Sequence, residues 1–158
     1  METVFFGIDP GKRGAIAGVN GAGEIVALAR FSEAETDGRI ALIIGDTLAA
    51  FPERRICATI EKVGAMPGQG VTSMFSFGRA YGEAIGALIL CRARLQYVRP
   101  QAWQKDLGLL AYGGDKAGHK RALKQAAEAA FSRRFTLDEC DAVLIAEWSR
   151  RFGRFENV

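Results

Sequence analysis

Val4-Phe5-Phe6-Gly7-Ile8-Asp9 begins as a run of apolar, β-prone residues and closes on an acid, and Ile56-Cys57-Ala58-Thr59-Ile60-Glu61 repeats the pattern. Neither run alternates with polar residues as a half-wet strand would. Both therefore read as central strands buried on two faces. In open α/β sheets ligands gather outside the carboxyl ends of the strands, where Asp9 and Glu61 are expected to sit.

Asp138 and Asp141 lie three apart, on a stripe that continues at helical spacing through Ile145, Trp148 and Phe152. Such a stripe faces inward. Two carboxylates there repel each other and lose hydration, at a cost of roughly several kcal/mol per ion unless cations compensate. The helix dipole alone would account for Asp138 in the first turn, with Asp141 paired to an arginine. Taken together, the acids Asp9, Glu61, Asp138 and Asp141 point to a divalent-metal site. A lone histidine, His119, and three scattered cysteines without a CxxC pair argue against zinc. Oxygen ligands favour magnesium, with manganese as a substitute.

The chain has 158 residues, 49% hydrophobic and 25% charged, as expected of one globular domain over residues 1–158. No apolar stretch of membrane-spanning length escapes charge, and no signal-peptide pattern opens the chain, so a cytoplasmic protein with no membrane partner is expected. Charge is uneven along the sequence. Residues 1–91 carry 8 basic and 10 acidic groups, whereas residues 92–158 carry 13 and 8. A basic second half suits phosphate binding.

Three short β segments, Val4 to Asp9, Gly14 to Val19 and Glu24 to Ala29, are joined by glycine-rich links and predict an antiparallel meander. Helices near Arg39 to Phe51 and Ser73 to Cys91 alternate with strands Ile56 to Glu61 and Leu95 to Val98, which implies parallel crossovers. Three helices follow, near Gln101 to Leu107, Lys116 to Phe131 and Leu137 to Arg151. Thr136 and Glu139 form a capping-box pattern before the last. The fold class is thus α/β, a mixed five-stranded sheet flanked by helices. Val63 to Thr72, rich in glycine, reads as the main loop and borders Glu61.

Lys116, Lys120 and Lys124 share one helical face and form a candidate phosphate track. Arg99, Gln101 and Lys105 follow the fifth strand, and Lys12 and Arg13 occupy the first turn. All are candidate phosphate contacts. Trp103, among them, either covers the core or stacks on a base. Gly78, Gly82 and Gly86 form a stripe that admits a close neighbour, either the sheet or a second subunit. Met74, Phe75, Phe77, Tyr81 and Leu88 give the same helix surplus apolar surface for such an interface.

The meander, the second acid-tipped strand and the acid-bearing last helix resemble the ribonuclease H-like superfamily. Within it, Gly7-Ile8-Asp9-Pro10-Gly11, Ile60-Glu61, Asp115-Lys116 and Asp138-Glu139-Cys140-Asp141-Ala142 look like the motifs of RuvC-type Holliday junction resolvases. The loop Met66-Pro67-Gly68-Gln69-Gly70 and the compact C-terminus look closer to the phage-like branch. The resemblance spans about Val4 to Arg150. It implies phosphodiester hydrolysis with two metal ions per site, Asp9 as the bridging ligand, Lys116 beside the scissile phosphate, and a homodimer acting on branched DNA. It also implies that Met66, Gln69, Met74 and Phe75 reach toward the junction centre, and that the protein works in a bacterial cell or a phage-infected host. Two rival readings are an actin-like or sugar-kinase-like phosphotransferase, which normally needs two such domains, and a DNA-binding protein without catalysis, which the four acids disfavour.

Overall fold

The computed structural model describes residues 1–32, 37–65, 67–110 and 115–155. The described elements run β1 (Thr3–Asp9), β2 (Ala15–Asn20), β3 (Ile25–Arg30), α1 (Arg39–Ala49), β4 (Arg55–Glu61), α2 (Val71–Leu90), β5 (Arg94–Val98), α3 (Pro100–Asp106), α4 (Lys116–Phe131) and α5 (Leu137–Phe152). Five strands form one sheet in the order β3-β2-β1-β4-β5. The expected meander is antiparallel, and β4 and β5 add to β1 in parallel. This is the mixed five-stranded sheet of the ribonuclease H-like fold.

Strand alternation sends successive side chains of β1 to opposite faces. Val4, Phe6 and Ile8 enter one core with Ile40, Ile44 and Leu48 of α1 and Ala80, Ala84 and Leu88 of α2. The other face carries Ala15, Ala17 and Val19 of β2 against Val143, Ile145 and Trp148 of α5, with Trp103 and Leu123 completing that core. The sheet is therefore the middle of three layers, with both faces dry, which explains why β1 and β4 lack polar alternation.

Gly7 is where the two layers come closest. A Cβ built there would lie 2.2 Å from both the Ala142 carbonyl oxygen and the Ala146 nitrogen. Only a residue without a side chain lets α5 sit directly on β1. Near the start of that helix, the Thr136 backbone N–H donates to Glu139 Oε2 at 2.7 Å, completing the expected capping box. Asp115 caps α4 by accepting from the Gly118 N–H at 2.6 Å, which gives half of the Asp115-Lys116 motif a structural role.

The glycine stripe of α2 does not face the sheet. Nothing lies within 4 Å of a Cβ at Gly78, Gly82 or Gly86. Small alanines, Ala80, Ala84 and Ala87, are the residues that admit the core instead. Leu88, expected among the surplus apolar surface, is fully buried because it falls on the alanine face. Phe77 and Tyr81 are half-buried and stacked, with ring centroids 6.5 Å apart.

Two glycine substitutions with opposite signs test this packing. Gly7→Ala is expected to cost about 3 kcal/mol or more, because backbone on both sides must move. Gly82→Ala, in open space within a helix, is expected to gain up to about 1 kcal/mol. Urea denaturation of both variants reads the difference.

Candidate active site

β1 and β4 pair in parallel register with Ile8 opposite Ile60, so Asp9 and Glu61 end adjacent strands at the same sheet edge. Neighbouring strands lie about 4.8 Å apart. The two acids also share a face. Asp9 follows Gly7 at the strand period, and Gly7 faces α5. Glu61 follows Thr59, whose hydroxyl donates to Ser149 Oγ of α5 at 2.9 Å. The seat of α5 on Gly7 then fixes Asp141, which immediately precedes Ala142, over that edge.

The consequences are electrostatic. The Asp9 carboxyl is held well above its ordinary pKa by burial first, then by Asp141 and Glu61, with Asp138 contributing, while Lys120 acts in the opposite direction. Burial also raises Glu61; its hydrogen bond from Trp103 opposes the rise and Asp141 adds to it. Asp141 is raised by burial, against the pull of Lys120 and His119. Three carboxyls are thus destabilised as anions by burial, and Asp9 and Glu61 by neighbouring acids as well. Such a group calls for positive charge.

The protein supplies some of it. Lys120 Nζ lies 3.8 Å from Asp141 Oδ2, and Arg13 Nε lies 3.7 Å from Asp138 Oδ1. The arginine that a metal-free reading would pair with Asp141 stands at Asp138 instead, and a lysine from α4 lies beside Asp141. Asp141 Oδ1 is buried with no hydrogen-bond partner. Among the described residues no three acids, cysteines or histidines stand close enough to hold an ion as they are. The donor set still fits a hard divalent cation. It consists of carboxylate oxygens, one of them unsatisfied, and it has more negative charge than Lys120 and Arg13 neutralise.

Trp103 is fully buried, which places it in the core rather than on a base, and its indole N–H donates to Glu61 Oε1 at 2.8 Å. One turn on, Asp106 Oδ2 accepts from the Trp148 indole at 2.8 Å. The short helix α3 therefore ties the acid of β4 to the helix that carries Asp138 and Asp141. A buried tryptophan needs a partner for its N–H. That rule flags Trp103 in the sequence, but it does not say which acceptor is near.

The other candidates lie mostly at the surface. Lys116 is exposed at the start of α4, one turn before Lys120, while Lys124 is half-buried with its Nζ 3.8 Å from Glu128. Arg99 and Gln101 are exposed and, with Lys62, line a cavity of about 340 Å³ beside the end of β4. Lys12, Gln69 and Lys105 are exposed, as is Phe75, and Met74 is half-buried. Met66 lies outside the described residues.

Neither a protein-family model nor a curated protein matches the chain. Solved structures do. Thermus thermophilus RuvC in complex with a Holliday junction substrate superposes with a TM-score of 0.66 at 17% identity, covering 96% of this chain and 97% of that one. A further Thermus thermophilus RuvC structure gives 0.64 at 16% identity, again covering 96% and 97%. At such identity the likeness establishes the fold, and it does so from end to end.

Two measurements probe the site without any activity. A carboxyl with a raised folded-state pKa stabilises the fold while protonated, and that contribution disappears as pH rises through the folded value. Asp9→Asn is therefore expected to raise the melting temperature of the metal-free protein at neutral pH. The gain should fade as pH falls toward about 4, the ordinary aspartate value. A variant less stable than wild type at neutral pH would contradict the electrostatic reading. Trp103→Phe keeps the ring and removes the N–H, and is expected to cost about 1 to 3 kcal/mol in urea denaturation.

Proposed function

We propose that this chain is a metal-dependent, structure-selective endodeoxyribonuclease that resolves Holliday junctions or related branched DNA by phosphodiester hydrolysis. The observation that carries the proposal is the convergence of Asp9, Glu61, Asp141 and Asp138 at one sheet edge. It occurs in a chain that follows the RuvC fold over 96% of its length.

Asp9, at the end of the central strand, would hold magnesium or manganese, two ions per site, together with Glu61, Asp138 and Asp141. Such a pair supplies activation of a water and stabilisation of the leaving oxygen. The chain's own residues prepare that chemistry. Trp103 occupies Glu61 Oε1 and so orients the carboxylate. Arg13 and Lys120 hold Asp138 and Asp141 in place while limiting their repulsion. Lys116, exposed one turn from Lys120, is assigned to charge developing on the phosphate.

DNA would be positioned by phosphate contacts radiating from this edge. The lysines of α4 run along one side, and Arg99, Gln101 and Lys105 of the β5–α3 region along another. Lys12 and Arg13 lie in the first turn. Gln69, Met74 and Phe75 stand at the entry to α2, where they would reach toward the branch point.

Resolving a four-way junction takes two incisions, and one chain offers one set of acids, so a two-fold homodimer is part of the proposal. Its interface is assigned to the outward stripe of α2. Val71, Phe75, Ile89 and Leu90 are 86%, 72%, 60% and 84% exposed, and the open glycines between them would allow a partner helix to approach closely.

Incubation with magnesium or manganese is expected to nick a synthetic four-way junction. Asp9→Asn, Glu61→Gln and Asp141→Asn should each lower the rate by at least about 10²-fold while junction affinity survives. Binding without cleavage under either metal would overturn the catalytic proposal. Gly82→Arg should weaken self-association in sedimentation before it unfolds the domain. A wild-type chain that stays monomeric on junction DNA and makes single nicks would remove the resolvase and leave the nuclease.

A further inference from the structure

Far from the acids, at the edge where β1, β4 and β5 begin, the chain holds a cavity of about 520 Å³. Six strand steps along β4 separate it from Glu61, roughly 20 Å at the usual rise. Its walls come from the α1–β4 connection, the α2–β5 connection and the N-terminus. Among the described residues Arg54, Arg55, Arg92 and Arg94 line it, and no acid does. Apolar surface from Leu48, Phe51 and Ile56 completes the lining.

Arg54, Arg55 and Arg92 are exposed to solvent, and Arg94 is half-buried. Arg54 forms an ion pair with Glu2. Arg55 and Arg92 form no ion pair among the described residues. Arg55 and Arg94 also bear on one spot: burial raises the pKa of the Cys57 thiol, and these two guanidiniums pull it back down.

Arg92 adds a backbone observation. It has φ 55, in the left-handed region. The Ala93 N–H donates to the Leu88 carbonyl and the Arg92 N–H to the Ile89 carbonyl, each at 3.0 Å, which is the Schellman ending of α2. Glycine is the usual occupant of that position. An arginine there holds a strained conformation, in a residue that lines the cavity.

We propose that this cavity binds a nucleoside phosphate. Guanidiniums match phosphate oxygens in paired hydrogen bonds, and a phosphate monoester brings nearly two negative charges where a carboxylate brings one. The volume lies within the range of about 300 to 1,000 Å³ typical of small-molecule sites. The apolar wall suits the base and sugar. A free mononucleotide and the 5′-phosphorylated end of a DNA strand share this chemistry.

Cys91 provides the readout, since it lines the cavity and is exposed while Cys57 and Cys140 are buried. Its alkylation by iodoacetamide is followed in the full chain at constant ionic strength. The probes are deoxyadenosine monophosphate, deoxyadenosine, and an oligonucleotide with or without a 5′-phosphate. At ten times its Kd, a phosphate-bearing ligand should slow alkylation about tenfold, from single-site occupancy. Deoxyadenosine should not protect. Stronger protection by the phosphorylated oligonucleotide identifies the strand end as the ligand, and protection by the mononucleotide alone identifies the free form.

Arg55→Ala combined with Arg92→Ala should abolish protection. Arg92→Gly guards against misfolding, because glycine suits the backbone there; it should melt no lower than wild type and still weaken protection. Asp9→Asn should leave protection unchanged, which separates this cavity from the acid cluster. No protection by any phosphate probe, equal protection by deoxyadenosine, or protection that persists in the double variant would overturn the proposal.

Discussion

The backbone of α5 rests on Gly7 of β1, and the geometry of the acid cluster depends on that contact. With a hypothetical Cβ only 2.2 Å from two backbone atoms of α5, the position has no tolerance for a side chain. The contact sets both the height of the helix above the sheet and its position along it. Because Asp9 lies two residues after Gly7 and Asp141 immediately precedes Ala142, one close approach brings together two acids that are 132 positions apart in the chain. Parallel pairing of β1 with β4 then adds Glu61 at the same edge.

Such a cluster opposes folding unless something offsets it. The fold surrounds it with stiff packing, since α5 buries Val143, Ile145 and Ala146 completely and Thr59 is bound to Ser149 beneath it. It also applies positive charge sparingly, with one lysine near Asp141 and one arginine near Asp138. Leaving negative charge in excess is the condition under which a divalent cation gains most by binding. The opposite end of the sheet carries the cavity lined by Arg54, Arg55, Arg92 and Arg94.

The sequence made much of this legible because burial leaves a periodic trace. The apolar runs ending in Asp9 and Glu61, the glycine-linked meander and the stripe through Asp141 and Ile145 all follow from the strand and helix periods, and the structure reproduces their order and nearly their boundaries. What was not legible are pairings across the fold. Nothing near Trp103 in the chain names Glu61, 42 positions away, as the acceptor of its N–H. Lys120 and Lys116 share a helical face, so spacing alone did not show that Lys120 is the one beside Asp141. Periodicity did not settle which face of α2 meets the core either: small residues occupy both, alanines inward and glycines outward, and that ambiguity placed Leu88 on the wrong side.

The central claim is that Asp9, Glu61, Asp138 and Asp141 form a site for divalent cations. Anomalous diffraction from manganese-soaked crystals tests it most directly. Manganese is expected on a carboxylate oxygen of Asp9, with Glu61, Asp138 and Asp141 completing the ligand set. Saturating manganese that leaves these carboxylates without a bound ion, in protein that cleaves DNA under the same conditions, would contradict it.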